Sequence, residues 1–134
     1  MTLYEILLSE ADEDGIPVVE CDLPKNGSCS IQTGGLCFIG IGNNIQTNAD
    51  KIVHLAHEMG HCRTGSFYNL YSVYDNRAKK ERRADEWAAE RLVPVERYEE
   101  AVRRGCVEPW QIAEEFGITC AFAAKVMAIR SEVR

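Results

Sequence analysis

The chain has 134 residues, 46% of them hydrophobic and 27% charged, which is the composition of an ordinary globular protein. No apolar run is long enough to cross a membrane, and the N-terminal residues lack the basic start and cleavage site of a signal peptide, so we expect a cytoplasmic protein without a membrane anchor. The net charge of −6 argues against non-specific binding to nucleic acid. The length predicts a single domain, 1–134.

Residues 1–46 are predicted to form one helix and a small three-stranded sheet. Apolar residues recur with helical spacing from Leu3 to Ala11, and Gly15 ends that helix. A short strand over 16–21 follows, and the turn 33–35 joins strands over 29–32 and 36–41. We also expect the glycine-containing end of the last strand, Gly40-Ile41-Gly42, to form an edge to which an extended peptide can add.

Residues 47–94 are predicted to form two longer helices. Thr47 and Asp50 have the spacing of a capping box, and the helix that they begin runs to about Arg63 with Gly65 as its stop. An aromatic-rich connection over 66–76 separates it from a second helix over 77–93, which ends at Pro94.

Residues 95–134 are predicted to form three short helices, from Pro94 to Gly105, over 109–116 and over 119–130. The last two have helix-turn-helix spacing. A DNA reader needs polar side chains at the start of its second helix, and this helix begins with Cys120, Ala121 and Phe122. We therefore interpret the pair as structural, or as a surface for a protein partner, and expect no direct nucleic acid binding.

The chain contains six cysteines, at positions 21, 29, 37, 62, 106 and 120. Because nothing in the sequence indicates secretion, most are expected to be free thiols. Cys62 follows the motif described next, and we interpret it as a small buried hydrophobe.

The strongest chemical signal is the H-E-x-x-H motif of His57-Glu58-Met59-Gly60-His61. Residues four apart on a helix share one face, so His57 and His61 can bind one metal ion, while Glu58 lies beside the metal as a general base. A half-buried helix that carries these residues by chance is the alternative. Two of only three histidines in the chain fall at this spacing, which favours the metal site.

A catalytic zinc commonly takes a third protein ligand. Metzincins would have Gly at 64 and His at 67, where this chain has Thr64 and Phe67, so that class is excluded. A carboxylate must therefore complete the site. Glu81 and Asp85 lie four apart on the second helix, and one can bind the metal while the other accepts a hydrogen bond from a liganding histidine.

The motif and the stretch Glu81-Arg82-Arg83-Ala84-Asp85-Glu86-Trp87-Ala88-Ala89 resemble the ImmA/IrrE family of small metallopeptidases, and more broadly the gluzincins. The resemblance implies an α+β zincin-like fold, mostly helical with a small sheet. It implies that His57, His61 and Glu81 bind zinc, that Glu58 is the base and that Asp85 supports a ligand. Manganese or iron could also occupy such a site. Rival ligands with less support are Asp75, Glu86 and Glu90, and His54 is interpreted as an ordinary helix-face histidine.

The resemblance further implies a zinc endopeptidase that cleaves a helix-turn-helix repressor of a mobile element or stress response, and so acts as an anti-repressor. A tyrosine of the aromatic connection, Tyr71 or its neighbours Tyr68 and Tyr74, is our candidate for stabilising the oxyanion. Two other functions stay open. One is a metal-containing module that inhibits a repressor by association alone, and the other is a transcription factor that uses the C-terminal helices.

Overall fold

The computed structural model describes residues 1–24, 27–67 and 74–132, with side chains from 77 onward in the last range. These residues form six helices and three strands, which are α1 (Leu3–Glu13), β1 (Val18–Cys21), β2 (Ser28–Thr33), β3 (Leu36–Gly42), α2 (Asn48–Thr64), α3 (Tyr74–Leu92), α4 (Val95–Arg103), α5 (Pro109–Phe116) and α6 (Cys120–Glu132). The prediction of a mostly helical α+β fold with a small three-stranded sheet is confirmed. None of the helices described is both long and apolar enough to cross a membrane.

The sheet has the strand order β1-β3-β2, with β1 parallel and β2 antiparallel to β3. The prediction that Gly40-Ile41-Gly42 forms an edge for peptide addition is therefore wrong. Gly40 pairs with Val19 on one side and with Cys29 on the other, because β3 is the central strand. Within the described residues, β2 is an edge strand, and its first residues face the cleft described below.

One face of the sheet packs against the helices. Ile39 and Ile41 of β3 are buried in the core together with Leu7 of α1 and Leu55 and Met59 of α2. Helix α2 lies against β2 and β3 on one side and against α3 on the other. It therefore forms the centre of the molecule, in contact with both the sheet and the second long helix.

Both ends of α2 are fixed by local interactions that the sequence predicts. The Thr47 side chain accepts a hydrogen bond from the Asp50 amide, and Gly65 ends the helix in the left-handed conformation with φ of 65°. Gly60 has a different role. A Cβ atom at this position would lie 2.6 Å from the backbone oxygen of Ala84, so α2 and α3 come this close only because residue 60 is glycine.

The cysteines differ from the expectation at one pair. Cys37 of β3 and Cys62 of α2 form a disulfide bond, so Cys62 is not a free buried thiol. The other four cysteines are free, as expected. The bond ties the central strand to the helix that carries the H-E-x-x-H motif.

The last two helices pack as a structural pair, in agreement with their interpretation from sequence. Phe122, Ala123 and Val126 of α6 are buried in the common core, and α6 contacts both α5 and α3. The first turn of α6 thus buries Phe122 and Ala123 and exposes only the small side chains of Cys120 and Ala121, whereas a DNA-reading helix needs polar side chains there.

Candidate metal centre

The two motif histidines lie one turn apart on α2, at the floor of a cleft of about 580 Å³. Their ring centroids are 4.8 Å apart and the rings are nearly perpendicular. His61 is buried, and the His57 side chain is 19% exposed toward the cleft. The Nε2 atoms of both rings face the same residue of the neighbouring helix α3.

Glu81 of α3 completes this group. Its Oε2 atom lies 2.8 Å from Nε2 of His57, and its Oε1 atom lies 3.1 Å from Nε2 of His61. The ligand atoms of the three residues all lie within 4.8 Å of one another, so together they could hold a metal ion. Of the two carboxylates that the sequence offered on α3, Glu81 is the one between the imidazoles.

The other nitrogen of each ring is held from outside the group. Nδ1 of His57 lies 2.8 Å from Oδ1 of Asp85, and Nδ1 of His61 donates a hydrogen bond of 2.6 Å to the backbone oxygen of Ser66. These bonds fix both ring orientations. Asp85 also contacts Nζ of Lys125 on α6 at 3.4 Å.

The electrostatics of the group follow from these contacts. Burial lowers the pKa of His57, but the hydrogen bonds to Asp85 and Glu81 outweigh it and raise that pKa to about 10. Burial likewise lowers the pKa of His61, and its bonds to Glu81 and Ser66 bring the net pKa above the ordinary value. Hydrogen bonds from both imidazoles hold the pKa of Glu81 below its usual range. Protons and a metal cation would therefore compete for the same atoms.

Glu58, the predicted base, lies on α2 between the two histidines and is only 6% exposed. Its Oε2 atom accepts a hydrogen bond of 2.7 Å from the hydroxyl of Ser28 on β2. The same hydroxyl lies 2.8 Å from Nδ1 of His54. His54 therefore lines the cleft, unlike the ordinary helix-face histidine expected from sequence.

A comparison with protein families gives one result. The model of a peptidase family, M78, described as the IrrE N-terminal-like domain, matches residues 11–127. The chain belongs to this family. No curated protein matches the chain. Membership of the M78 family and the group of His57, His61 and Glu81 together support a metallopeptidase.

Two of the rival ligands predicted from sequence, Glu86 and Glu90, do not join the group. The Glu86 side chain is about half exposed and pairs with Arg82, and that of Glu90 is 60% exposed and lies 3.4 Å from Arg130. Tyr68 and Tyr71 lie outside the described residues, as do the side chains of Tyr74 and Asp75.

Sequence reasoning missed several residues that contact the metal-ligand group or line its cleft. Ser28 of β2, the backbone of Ser66, and Phe122 and Lys125 of α6 all contact the group or line its walls. Ser28 follows a turn signal, Asn26-Gly27, but no local pattern links it to Glu58, which lies 30 residues further along the chain. The role of Ser66 is a backbone contact and leaves no side-chain signature.

Proposed function

We propose that this chain is a zinc-dependent endopeptidase. The observation that carries the proposal is the convergence of His57, His61 and Glu81 beside the buried carboxylate of Glu58. Two imidazole nitrogens and one carboxylate oxygen are the donor set of many catalytic zinc sites, which leave a fourth position for water or substrate.

The residues present fit such an ion. Asp85 and the Ser66 carbonyl hold the two imidazoles so that both Nε2 atoms point to the Glu81 carboxylate. Zinc bound there would supply a Lewis acid and lower the pKa of water to about 7. Glu58 would take a proton from the attacking water and deliver it to the leaving amine.

The substrate is proposed to bind as an extended strand. Gly27, Ser28, Cys29 and Ser30 at the start of β2 line the cleft, and β2 is an edge strand among the described residues. An edge strand offers unpaired backbone groups to which a peptide can add, while side-chain pockets select its sequence. A peptide on β2 would pass directly over the group of His57, His61 and Glu81.

We propose a helix-turn-helix repressor of a mobile element or stress response as the protein substrate, which would make this chain an anti-repressor in the cytoplasm. The support for this substrate is the family resemblance. Oxyanion stabilisation by Tyr71 is likewise a proposal. A Tyr71→Phe variant with full turnover would remove that tyrosine from the mechanism.

The alternative is a module that inhibits a repressor by association alone. The buried carboxylate of Glu58 favours the enzyme, because a protein that only binds has no need for a desolvated acid beside the metal ligands. A substrate trap distinguishes the two functions.

The trap is the zinc-loaded Glu58→Gln variant, used to capture proteins from cells that carry candidate repressors. A Glu58→Gln, His57→Ala double variant is the matched control that cannot hold the metal. Captured proteins are then incubated with the zinc-loaded wild type. Fragments with a defined new N-terminus support the endopeptidase, whereas a captured repressor that stays intact contradicts it and indicates association alone.

A further inference from the structure

Ser28 and His54 form a small hydrogen-bonded cluster beside Glu58. Neither residue belongs to the group of His57, His61 and Glu81 that could hold a metal ion. His54 and Glu58 lie four residues apart on α2, so their side chains share one face of the helix. Ser28, the first residue of β2, inserts its hydroxyl between them. The cluster thus joins the edge strand to the helix that carries the metal ligands.

The direction of the hydrogen bonds follows from counting protons. A carboxylate only accepts, so the Ser28 hydroxyl donates its single proton to Oε2 of Glu58 at 2.7 Å. The Oγ atom of Ser28 also lies 2.8 Å from Nδ1 of His54. Because its only proton is donated to Glu58, this oxygen can only accept a hydrogen bond from that nitrogen. Nδ1 of His54 must therefore carry a hydrogen. Both hydrogen bonds are therefore donated in the same direction, from His54 to Ser28 and from Ser28 to Glu58.

The hydrogen bond from Ser28 restricts the orientation of the Glu58 carboxylate. Glu58 is 6% exposed, and with Oε2 bound by Ser28, Oε1 is the oxygen that can face the cleft and receive a proton. Without the bond, the carboxylate could rotate about its last torsion, which is broad for glutamate. A base must lie within hydrogen-bond reach of the proton that it removes, so this rotation matters for catalysis.

We propose that Ser28, itself oriented by His54, is a positioning residue that holds the Glu58 carboxylate for proton transfer. The inference rests on the proposed peptidase function for its catalytic meaning, but the hydrogen-bonded chain can be tested without turnover. Because Ser28 belongs to the edge strand proposed to receive the peptide, β2 would hold both the substrate and the carboxylate of the base.

The first test is nuclear magnetic resonance of the full chain as purified, with labelled histidine and glutamate. The chain has only three histidines, so their ring signals can be assigned by substitution, and the Glu58 carboxyl signal is the one absent from Glu58→Gln. In the wild type, His54 is expected to carry its hydrogen on Nδ1. Ser28→Ala is expected to shift the His54 ring toward the Nε2-protonated form and to move the Glu58 carboxyl signal.

Matched variants separate the hydroxyl from mere packing. Ser28→Thr keeps the hydroxyl and should retain both wild-type signals. His54→Asn keeps a donor near the position of Nδ1 and should retain the Glu58 signal, whereas His54→Phe should shift it. Ser30→Ala, two residues along the same strand, should leave the His54 and Glu58 signals unchanged. Unchanged signals in a folded Ser28→Ala protein would overturn the proposal.

The second test is turnover of a quenched-fluorescent casein by the zinc-loaded proteins. Ser28→Ala is expected to lower kcat about tenfold with KM unchanged, and Ser28→Thr to restore it, since one hydrogen bond to a charged group is removed and replaced. Full kcat in Ser28→Ala would overturn the positioning role. Absence of wild-type turnover on casein and on captured proteins would count against the proposed function, while the resonance test would still decide the hydrogen-bonded chain.

Discussion

Glu81 contacts the two nitrogen atoms that a metal ion would need, and it does so by accepting hydrogen bonds from them. The imidazoles of His57 and His61 have raised pKa values because they share the carboxylate of Glu81, and a negative charge at that position also suits a bound cation. Protons and a metal ion would compete for the same two nitrogen atoms, so the affinity for metal should depend on pH.

The first prediction concerns the protons released by zinc. With its pKa at about 10, His57 is protonated near neutral pH when no metal is bound, and zinc must displace that proton. We expect zinc affinity to rise with pH, and binding to release at least about one proton near neutral pH. Titration calorimetry in buffers of different ionisation enthalpy measures this number, and heats independent of the buffer would contradict it.

The same raised pKa predicts how the stability of the chelator-treated protein depends on pH. The ordinary pKa of histidine is 6.5, and the folded value for His57 is about 10. The stabilisation from its bonds to Glu81 and Asp85 is therefore complete below pH 6.5 and is lost as the pH rises through about 10. Thermal unfolding of the chelator-treated protein should show a falling Tm across this window. A constant Tm would argue against the raised pKa.

Asp85 provides a third prediction at the scale of single residues. Its Oδ1 atom holds Nδ1 of His57 at 2.8 Å, and loss of such an outer partner commonly weakens metal binding by about 10–100-fold. We expect Asp85→Ala to lower zinc affinity by that factor, measured by competition with a chromophoric chelator. Glu86→Ala, the next residue on α3, is the control and should bind zinc as the wild type does, because its side chain points to solvent.

At the scale of elements, the position of Glu81 depends on how closely α3 approaches α2. Gly60→Ala should be favourable by helix propensity, by about 1 kcal/mol. A Cβ at residue 60 would, however, lie 2.6 Å from the Ala84 oxygen, and backbone cannot rotate away as a side chain can. We expect the clash to dominate and to lower the free energy of unfolding by about 1–3 kcal/mol, with weaker zinc binding.

Urea unfolding of the Gly60→Ala variant measures this change. Arg83→Ala, an exposed position on α3, is the control and should stay within about 0.5 kcal/mol of the wild type. Adding Ala84→Gly should not rescue the variant, since the contacts are with backbone atoms of residue 84. A Gly60→Ala protein as stable as the wild type would show that α2 and α3 do not pack this closely.

The disulfide between Cys37 and Cys62 joins β3 to α2 one residue from a proposed ligand, His61. Unfolded under non-reducing conditions, the protein should show four reactive thiols, and after reduction all six. Cys37→Ser with Cys62→Ser should lower stability by about 3 kcal/mol in the loop-entropy description, whereas the exposed Cys120→Ser should not. Six thiols before reduction would contradict the bond.

For the whole molecule, the sequence predicts the features that are local. The ends of α2 follow from Thr47 and Gly65, and the spacing of His57, His61, Glu81 and Asp85 on two helices predicts the group that the structure brings together. Helical spacing contains this information because residues four apart must share a face.

The features that the sequence does not predict depend on contacts between distant segments. The strand order makes β3 central, although the glycines at its end resemble an edge. The Cys37–Cys62 bond and the Ser28 contacts to His54 and Glu58 span 25 to 30 residues and follow from the way the sheet lies on α2. The cleft wall formed by Phe122 and Lys125 likewise depends on how α6 packs.

Four elements, α2, α3, β2 and α6, thus surround one group of three side chains, and we propose that this group holds a catalytic metal ion. The most direct measurement is metal content by elemental analysis of the purified wild type, Glu81→Ala and Glu58→Gln. We expect about one zinc per chain in the wild type and in Glu58→Gln, and loss of zinc in Glu81→Ala. Zinc that is retained in Glu81→Ala, or absent from the wild type, would contradict it.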